Sequence, residues 1–288
     1  MKVLMISPGL PNENTSGLGF AVEQIANSLS SRLSLTIIQP EDVNNQSQIK
    51  ELDTNQFKEE AVVNELTHIN VKGNLSPYSY TNHEYKQEEE GGVKSEFEFF
   101  TQSVSNIAQT LDFDLIYAHD WVTFQAAKKL KERTKKPLVL HVHSLDVDRI
   151  SSTSHSWVFN IEKTAFEIAD AIISVSNYSA NRIHKFYAIP TQKIHTVYNG
   201  CSLTLFPNYK KIFDEPVVLF AGRLTNQKAP QVFIEIAEKI LQKRKDIRFV
   251  MAGEGPMKNS LIEMAAHKGI GDHVHFTGFV DRNEVAKI

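Results

Sequence analysis

Two cationic side chains follow a short apolar run in the last third of the chain. Arg223 and Lys228 stand five positions apart, and Pro230 comes two residues later. The apolar run predicts a strand over 217–220, and the proline predicts a helix that begins near 230. A guanidinium fork, a mobile ammonium and a helix N-terminus at one place are suited to bind a diphosphate. The alternative interpretation is a pair of solvated surface cations.

Fixed cations at such a place could also serve catalysis. A diphosphate that leaves a sugar gains negative charge as the bond breaks. Arg223 and Lys228 would therefore stabilise the transition state more strongly than the ground state.

Glycines follow two other predicted strands. Gly17 and Gly19 lie between the first strand and its helix, where a glycine backbone lets a phosphate approach closely. The spacing differs from the dinucleotide-binding fingerprint, because Val22 occupies the third glycine position. Gly253 and Glu254 lie in the run Ala-Gly-Glu-Gly-Pro after a later strand. Both segments allow a ligand contact or a simple strand-to-helix turn.

Three histidines lie at the predicted ends of two consecutive strands. His119 precedes Asp120, while His141 and His143 are two residues apart and share one face of their strand. One hypothesis is a metal site with His119 or Asp120 as the third ligand. A second is a histidine that hydrogen-bonds a sugar, and a third is a satisfied histidine at a strand end. No metal-type spacing occurs elsewhere, so we expect no metal.

Two Asp-x-Asp pairs match a pattern of metal-dependent sugar transfer. Asp112 and Asp114 are expected to flank the strand that follows them, whereas Asp146 and Asp148 are expected to be loop carboxylates. The occurrence of two matches in one chain shows that the pattern has little weight here. Asp148 is the one that could touch a ligand.

Composition restricts the class of protein. The 288 residues are 41% hydrophobic and 23% charged, with a formal net charge of -3, which is typical of a globular chain and gives no indication of nucleic-acid binding. Cys201 is the single cysteine, which favours a reducing cytosol over a disulfide-stabilised protein. No apolar run approaches the roughly 20 residues of a membrane span.

Short apolar strands alternate with amphipathic helices along the chain, which predicts an α/β fold with parallel sheets. A segment with Pro207 and Pro216 separates two such series, and we place an N-terminal Rossmann-like domain at 1–207 and a second at 208–288. The predicted strands cover 3–6, 35–38, 69–71, 115–118, 138–143, 171–175, 194–197, 217–220, 249–252 and 274–277. The predicted helices cover 18–31, 97–111, 122–133, 158–168, 179–187, 230–243 and 257–267, with another from Asp281.

Taken in order, six of these segments resemble retaining glycosyltransferases of the GT-B fold, specifically glycosyltransferase family 4. His-Asp-Trp and His-Val-His-Ser are similar to the branch near glycogen and starch synthases. The matching segments are 114–121, 136–144, 169–176, 193–200, Gly-Arg-Leu-x3-Lys at 222–228 and Ala-Gly-Glu-Gly-Pro at 252–256.

The resemblance implies two Rossmann-like domains that face each other across a cleft. The N-terminal domain would bind the acceptor, and the second would bind a UDP- or ADP-sugar without a metal. A glucan is one candidate acceptor, and transfer would retain the anomeric configuration through front-face attack. The resemblance assigns roles by position: Arg223 and Lys228 to the diphosphate, Gly17 and Gly19 to a loop over it, His143 to the transferred sugar, Gly253 and Glu254 to donor binding, Phe279 and Val280 to the base, and Asp120 and Trp121 to the acceptor side.

The family also has two glutamates, spaced Glu-x7-Glu, beyond the segment that would follow Ile288. We therefore expect a chain truncated in its second domain, with little transferase activity of its own. The alternatives are a non-catalytic sugar- or nucleotide-binding remnant, which could pair with a separate C-terminal half, and another GT-B enzyme such as a nucleotide-sugar epimerase.

Overall fold

The computed structural model describes residues 1–9, 17–40, 66–71, 87–149, 156–200, 214–280 and 284, with the backbone alone for 87–94. The chain divides into two compact units, Met1–Asn199 and Gly200–Ile288. The predicted boundary between 207 and 208, and the helix predicted from Asp281, lie outside the described residues and stay predictions.

The first unit is built on a seven-stranded sheet in which the hydrogen-bonded neighbours are parallel. The strand order is β3-β2-β1-β4-β5-β6-β7, so the direction of winding reverses at β1. Ligands of open parallel sheets bind at the carboxyl ends of the strands near such a reversal. The strands are Lys2–Ile6 (β1), Ser34–Pro40 (β2), Leu66–Val71 (β3), Leu115–His119 (β4), Leu138–Val142 (β5), Ala171–Ser174 (β6) and Ile194–Thr196 (β7).

Helices cover both faces of this sheet, and alternating side chains of β1 show how. Leu4 and Ile6 belong to one buried cluster, together with side chains of the helices Gln87–Ile107 (α2), Trp121–Thr134 (α3) and Trp157–Ile168 (α5). Val3 and Met5 belong to another, together with side chains of the helix Gly17–Ser30 (α1). Because neighbouring side chains of a strand point to opposite faces, an unbroken apolar strand requires cover on both sides. The helices are Gly17–Ser30 (α1), Gln87–Ile107 (α2), Trp121–Thr134 (α3), Asp146–Arg149 (α4), Trp157–Ile168 (α5) and Asn177–Tyr187 (α6).

The second unit repeats the pattern with three parallel strands in the order β10-β9-β8. Its core includes Ile234, Phe249 and Leu261, contributed by two helices and the central strand. The first of these helices begins at Pro230, as predicted, because proline lacks the N–H that the first turn of a helix does not use. The elements are Val217–Ala221 (β8), Pro230–Leu241 (α7), Arg248–Ala252 (β9), Lys258–His267 (α8) and Val274–Gly278 (β10).

The α/β class and the parallel sheets are confirmed, whereas several details of the sequence interpretation are wrong. The strand predicted over 138–143 ends at Val142, so His143 lies in the turn that follows. The helix predicted over 97–111 begins at Gln87 and ends at Ile107. The short helix α4 was expected to be a loop. Within the described ranges, no helix is both long enough and apolar enough to cross a membrane.

Candidate functional site

The three histidines come together at the carboxyl ends of β4 and β5. His119 ends β4 and lies in register with His141 of β5, and His143 follows that strand directly. Nδ1 of His119 is 3.1 Å from Nε2 of His143. The ring centroids of His141 and His143 are 4.3 Å apart, and the Tyr117 hydroxyl oxygen is 2.6 Å from Nδ1 of His141. The cluster therefore follows from the pairing of two strands.

Burial keeps the three imidazoles neutral. Loss of solvent lowers the pKa of His141 to about 3 and that of His143 to about 4. The pKa of His119 is also well below its ordinary value, first because of burial and then because of the two other rings. Nε2 of His119 and Nε2 of His141 are buried, and neither has a hydrogen-bond partner in the described part of the chain. Neutral imidazoles with open nitrogens can hydrogen-bond a ligand or coordinate a metal.

Asp120 fixes the backbone beside this cluster. Its carboxylate is 1% exposed and accepts hydrogen bonds from the backbone N–H of His143 at 2.7 Å and of Ser144 at 3.2 Å. Its own backbone has a φ of 57° and a ψ of 164°, a region that is almost restricted to glycine. A strained residue at the end of a strand, bonded to the segment that carries His143, is a device for positioning that histidine.

Asp120 and Trp121 were predicted on the acceptor side, and the structure places both inside the first unit. Trp121 has no exposed surface and stacks on Phe97, with ring centroids 5.3 Å apart. Trp157 packs edge-on against the Trp121 ring, with ring centroids 5.4 Å apart. Contact of Asp120 and Trp121 with an acceptor stays a prediction. In the described structure, Trp121 packs in the core and the Asp120 carboxylate accepts hydrogen bonds from the backbone.

A buried hydrogen-bond network centred on Glu162, which sequence reasoning missed, holds the short helix α4 after His143. Glu162 accepts hydrogen bonds from the Asp146 backbone N–H at 3.0 Å, from Arg149 at 3.0 Å and from the Tyr187 hydroxyl. Arg149 also donates to the Ser144 carbonyl oxygen at 3.1 Å. Burial raises the pKa of Glu162 to about 8, against the opposing effect of Arg149.

One signal in the sequence could have revealed this network. Glu162 stands on the apolar stripe of its helix, where Val158, Phe159, Ala165 and Phe166 are buried. A carboxylate on such a stripe needs a buried partner, because an unpaired charge is costly to bury. The sequence alone does not say which arginine supplies that partner.

The two Asp-x-Asp pairs have structural partners. The Lys2 backbone N–H donates to Asp114 at 2.7 Å, and the Lys2 ammonium pairs with Asp112 at 2.8 Å, so these residues flank the sheet as predicted. Asp146 and Asp148 are helical residues of α4, which corrects their interpretation as loop carboxylates.

Both carboxylates of α4 are engaged by neighbouring side chains. Ser156 donates to Asp146 at 2.7 Å, and Arg182 pairs with Asp148 at 2.5 Å. Their partners thus tie α4 to the rest of the first unit.

In the second unit, the segments after the strands run side by side and bond through their backbones. Gly222 N–H donates to the Ala252 carbonyl oxygen and Leu224 N–H to that of Glu254, both at 2.9 Å. Gly253 has a φ of 151°, and a Cβ there would lie 1.9 Å from the Gly222 oxygen. Glycine at 253 is therefore required by both conformation and space.

Arg223 lies within this backbone contact, and Lys228 lies between the contact and the helix that follows it. Arg223 is half-buried between Gly222 and the buried Leu224, and Lys228 is exposed in a 3-10 turn before α7. No side chain caps the N-termini of α7 and α8 in the described structure. Uncapped helix N-termini retain N–H groups that favour an anion.

Glu254, Phe279 and Val280 lie around the end of β10. Glu254 pairs with Lys258 at 2.5 Å, and a Cβ on Gly278 would lie 2.9 Å from the Glu254 carboxylate. Phe279 follows Gly278 and is 51% exposed, while Val280 is half-buried. The predicted donor residues of this unit thus lie in the segments at the carboxyl ends of its strands.

Gly17 and Gly19 belong to the first unit, in the first turn of α1. Gly17 is exposed at the start of the helix, and Gly19 is buried within it. The residues 10–16 before them lie outside the described structure. Their contact with a donor stays a prediction.

Comparisons with known proteins find matches in both units of the chain. A model for Glycosyltransferase Family 4 matches residues 94–205, and one for Glycosyl transferases group 1 matches residues 204–288. An uncharacterized glycosyltransferase of Bacillus subtilis is 24% identical over 99% of the chain and 68% of its own length.

Other curated relatives match a smaller part. An uncharacterized glycosyltransferase of Methanocaldococcus jannaschii is 28% identical over 61% of the chain and 49% of its own length. D-inositol 3-phosphate glycosyltransferase 2 of Catenulispora acidiphila is 27% identical over 60% of the chain and 46% of its own length. The matches thus span about half the length of these two relatives.

Solved structures share the fold across nearly the whole chain. Sucrose-phosphate synthase of Thermosynechococcus elongatus superposes with a TM-score of 0.72 at 17% identity, over 99% of this chain and 72% of its own. Anabaena HepE in complex with UDP-glucose superposes with a TM-score of 0.67 at 16% identity, over 98% of this chain and 70% of its own. Two glycosyltransferase models thus match consecutive segments that together span residues 94–288, and the chain has the GT-B fold of its structural neighbours.

Proposed function

We propose that the protein transfers a hexosyl group from a nucleotide-diphosphate sugar to a hydroxyl group of an acceptor, with retention of configuration. The observation that carries this proposal is the strand-end site of the second unit. There, Arg223 and Lys228 flank glycine-dependent backbone segments that precede two uncapped helices. Such a site is suited to a diphosphate and to the charge that develops when it leaves.

The two cations divide the work by their chemistry. Arg223 offers a planar set of N–H donors, which can bind two phosphate oxygens at once. Lys228 is an exposed point charge on a flexible side chain and can follow the moving phosphate. Both gain interaction energy as the phosphate oxygen takes up charge, so they lower the barrier without a metal ion.

His143 is the residue we place beside the transferred sugar. Its imidazole is neutral, because burial lowers its pKa to about 4, and a neutral imidazole hydrogen-bonds a hydroxyl without adding charge. Asp120 holds its backbone N–H. For retention, we propose front-face attack, in which the leaving phosphate oxygen accepts the proton of the acceptor hydroxyl.

The donor proposal draws on the neighbours. HepE is seen with UDP-glucose, and we propose a UDP-sugar, with an ADP-sugar as the alternative. The curated relatives include a D-inositol 3-phosphate glycosyltransferase, which supports a polyhydroxylated acceptor. A glucan acceptor, the glycogen synthase-like branch and a separate C-terminal half stay predictions.

Substitution of the cations tests the proposal. In the complete protein, Arg223→Ala and Lys228→Ala should each remove about 2–4 kcal/mol of transition-state stabilisation. Each should therefore reduce kcat/KM roughly 30- to 1000-fold. Lys239→Ala is the matched control, because this exposed lysine lies at the opposite end of α7. Unchanged kcat/KM in both cation variants would refute the assignment.

Binding and turnover separate this function from its alternatives. Calorimetric titration of the chain with UDP tests the site of the second unit, and UDP-glucose with an acceptor tests transfer. Binding of UDP by a complete protein that never turns over a donor would favour a non-catalytic sugar-nucleotide binding protein. Conversion of the free nucleotide-sugar to its epimer would favour an epimerase.

A further inference from the structure

The histidine cluster has a geometry that the proposed transfer reaction does not require. Nitrogens of His119, His141 and His143, one from each ring, lie within 4.8 Å of one another in the part of the chain that the structure describes. His119 and His141 are held by the paired ends of β4 and β5, which fixes their spacing. Two of the three ligands are therefore held by strands, and the third, His143, lies in the turn directly after β5.

One pair of these nitrogens has a separation close to that of two ligands on one ion. With Zn–N bonds of about 2.0–2.1 Å and tetrahedral angles, two ligand nitrogens lie about 3.4 Å apart. Nδ1 of His119 and Nε2 of His143 are 3.1 Å apart. A single hydrogen bond between two neutral rings is the competing explanation of this contact, and the two make different predictions for added metal.

His141 has the hydrogen bonding of a metal ligand. Its Nδ1 is 2.6 Å from the Tyr117 hydroxyl oxygen, which leaves Nε2 available. That Nε2 is buried and has no hydrogen-bond partner among the described residues. Ligating histidines usually bond a second group through the other ring nitrogen, which orients the ring and raises its basicity.

The donor set selects the kind of ion. The nearby carboxylate of Asp120 is engaged by the backbone of His143 and of Ser144 and by the Ser144 hydroxyl. Three imidazoles without a carboxylate suit zinc, copper or nickel, whereas magnesium and manganese prefer oxygen ligands. His143 is half-buried, while the other two rings are buried, so water could complete the coordination on its side.

We propose that His119, His141 and His143 form a binding site for a divalent transition-metal ion, with Zn²⁺ as its probe. Binding itself does not depend on the proposed function. One consequence does rest on it: an ion on His143 occupies the imidazole nitrogen that we propose for the hydrogen bond to the sugar, so Zn²⁺ inhibits the transfer reaction.

Titration of chelator-treated chain tests the site. Calorimetry should show one equivalent of Zn²⁺ bound, Co²⁺ should give the visible absorption of a tetrahedral ion, and Mg²⁺ and Mn²⁺ should give no binding at the same concentrations. His141→Ala and His143→Ala should each lower the affinity for Zn²⁺ at least 100-fold. Tyr117→Phe, which keeps the ring and removes the hydroxyl, should weaken it 10- to 100-fold.

Exposed histidines supply the matched controls. His195→Ala and His267→Ala should leave the affinity for Zn²⁺ unchanged, since both rings lie on the surface. Because His141 is buried, far-UV circular dichroism checks that its variant folds, and the half-buried His143 provides a second variant. Absence of stoichiometric Zn²⁺ binding, or binding that survives both His141→Ala and His143→Ala, overturns the site. UDP binding to the second unit remains as a separate readout, so failure of the metal site and of the transferase proposal are distinguishable.

Discussion

Asp120 combines a buried carboxylate with a strained backbone, and three substitutions separate the two contributions. Its Oδ1 accepts hydrogen bonds from the N–H groups of His143 and Ser144. Its φ of 57° and ψ of 164° place a side chain where glycine is normally found. Asp120→Asn keeps an oxygen acceptor, Asp120→Ala removes it, and Asp120→Gly removes it but also relieves the backbone.

The magnitudes follow from these contacts. Asp120→Ala leaves two N–H groups without an acceptor, at about 1–3 kcal/mol each, so the free energy of unfolding should fall by about 2–6 kcal/mol. Asp120→Gly suffers the same loss but recovers about 1–3 kcal/mol of strain, less about 0.4–1 kcal/mol for the greater freedom of glycine in the unfolded chain. The glycine variant should thus be more stable than the alanine variant by up to about 2.6 kcal/mol, with a central value of about 1.3 kcal/mol. Asp120→Asn should lose only about 1 kcal/mol.

Tryptophan fluorescence during urea unfolding measures these differences in the correct unit. The chain has two tryptophans, Trp121 and Trp157, and both lie in the first unit. Their signal therefore reports its unfolding without interference from the second unit. An alanine variant as stable as the glycine variant, at equal m-values, would refute the strain argument. Wild-type stability of Asp120→Ala would refute the role of the carboxylate in holding His143.

Two further predictions concern the second unit and the buried network. Gly253→Ala should destabilise the second unit by about 3–5 kcal/mol, because the new Cβ would lie 1.9 Å from the Gly222 carbonyl oxygen and because the positive φ of residue 253 is unfavourable for alanine. The control is Gly271→Ala, which has open space around it and should change stability by less than about 0.5 kcal/mol. Hydrogen exchange of the second unit measures both, and equal protection in the two variants would contradict the clash. Burial raises the pKa of Glu162 from 4.5 to about 8, so the native state keeps a proton that the unfolded state loses, and stability should fall as pH rises from about 4.5 to 8. Glu162→Gln should flatten this slope in urea unfolding, whereas the exposed Glu167→Gln should not, and a slope that survives Glu162→Gln would count against the raised pKa.

Much of the fold could be predicted because its strands are short, apolar and separated by amphipathic helices. The predicted strand over 249–252 is Arg248–Ala252 in the structure, and the helix predicted from 230 begins at Pro230. The strand order was not predictable from the periodicity. Alternation indicates that strands are parallel, but it does not say that β4 lies beside β1. Helix α4 was missed because four residues carry too little periodicity.

The sequence by itself determined which residues we propose for the chemistry of the second unit. Gly222, Arg223, Lys228 and Gly253 belong to continuous segments whose turns and helix starts are local properties, so their motif already implied their placement. Only the tertiary structure decided which partners the polar residues of the first unit contact. His119 meets His141 through strand register, Asp120 bonds the backbone of His143, and Glu162 finds Arg149 thirteen residues away. These contacts depend on strand pairing and burial, which local residue patterns do not specify.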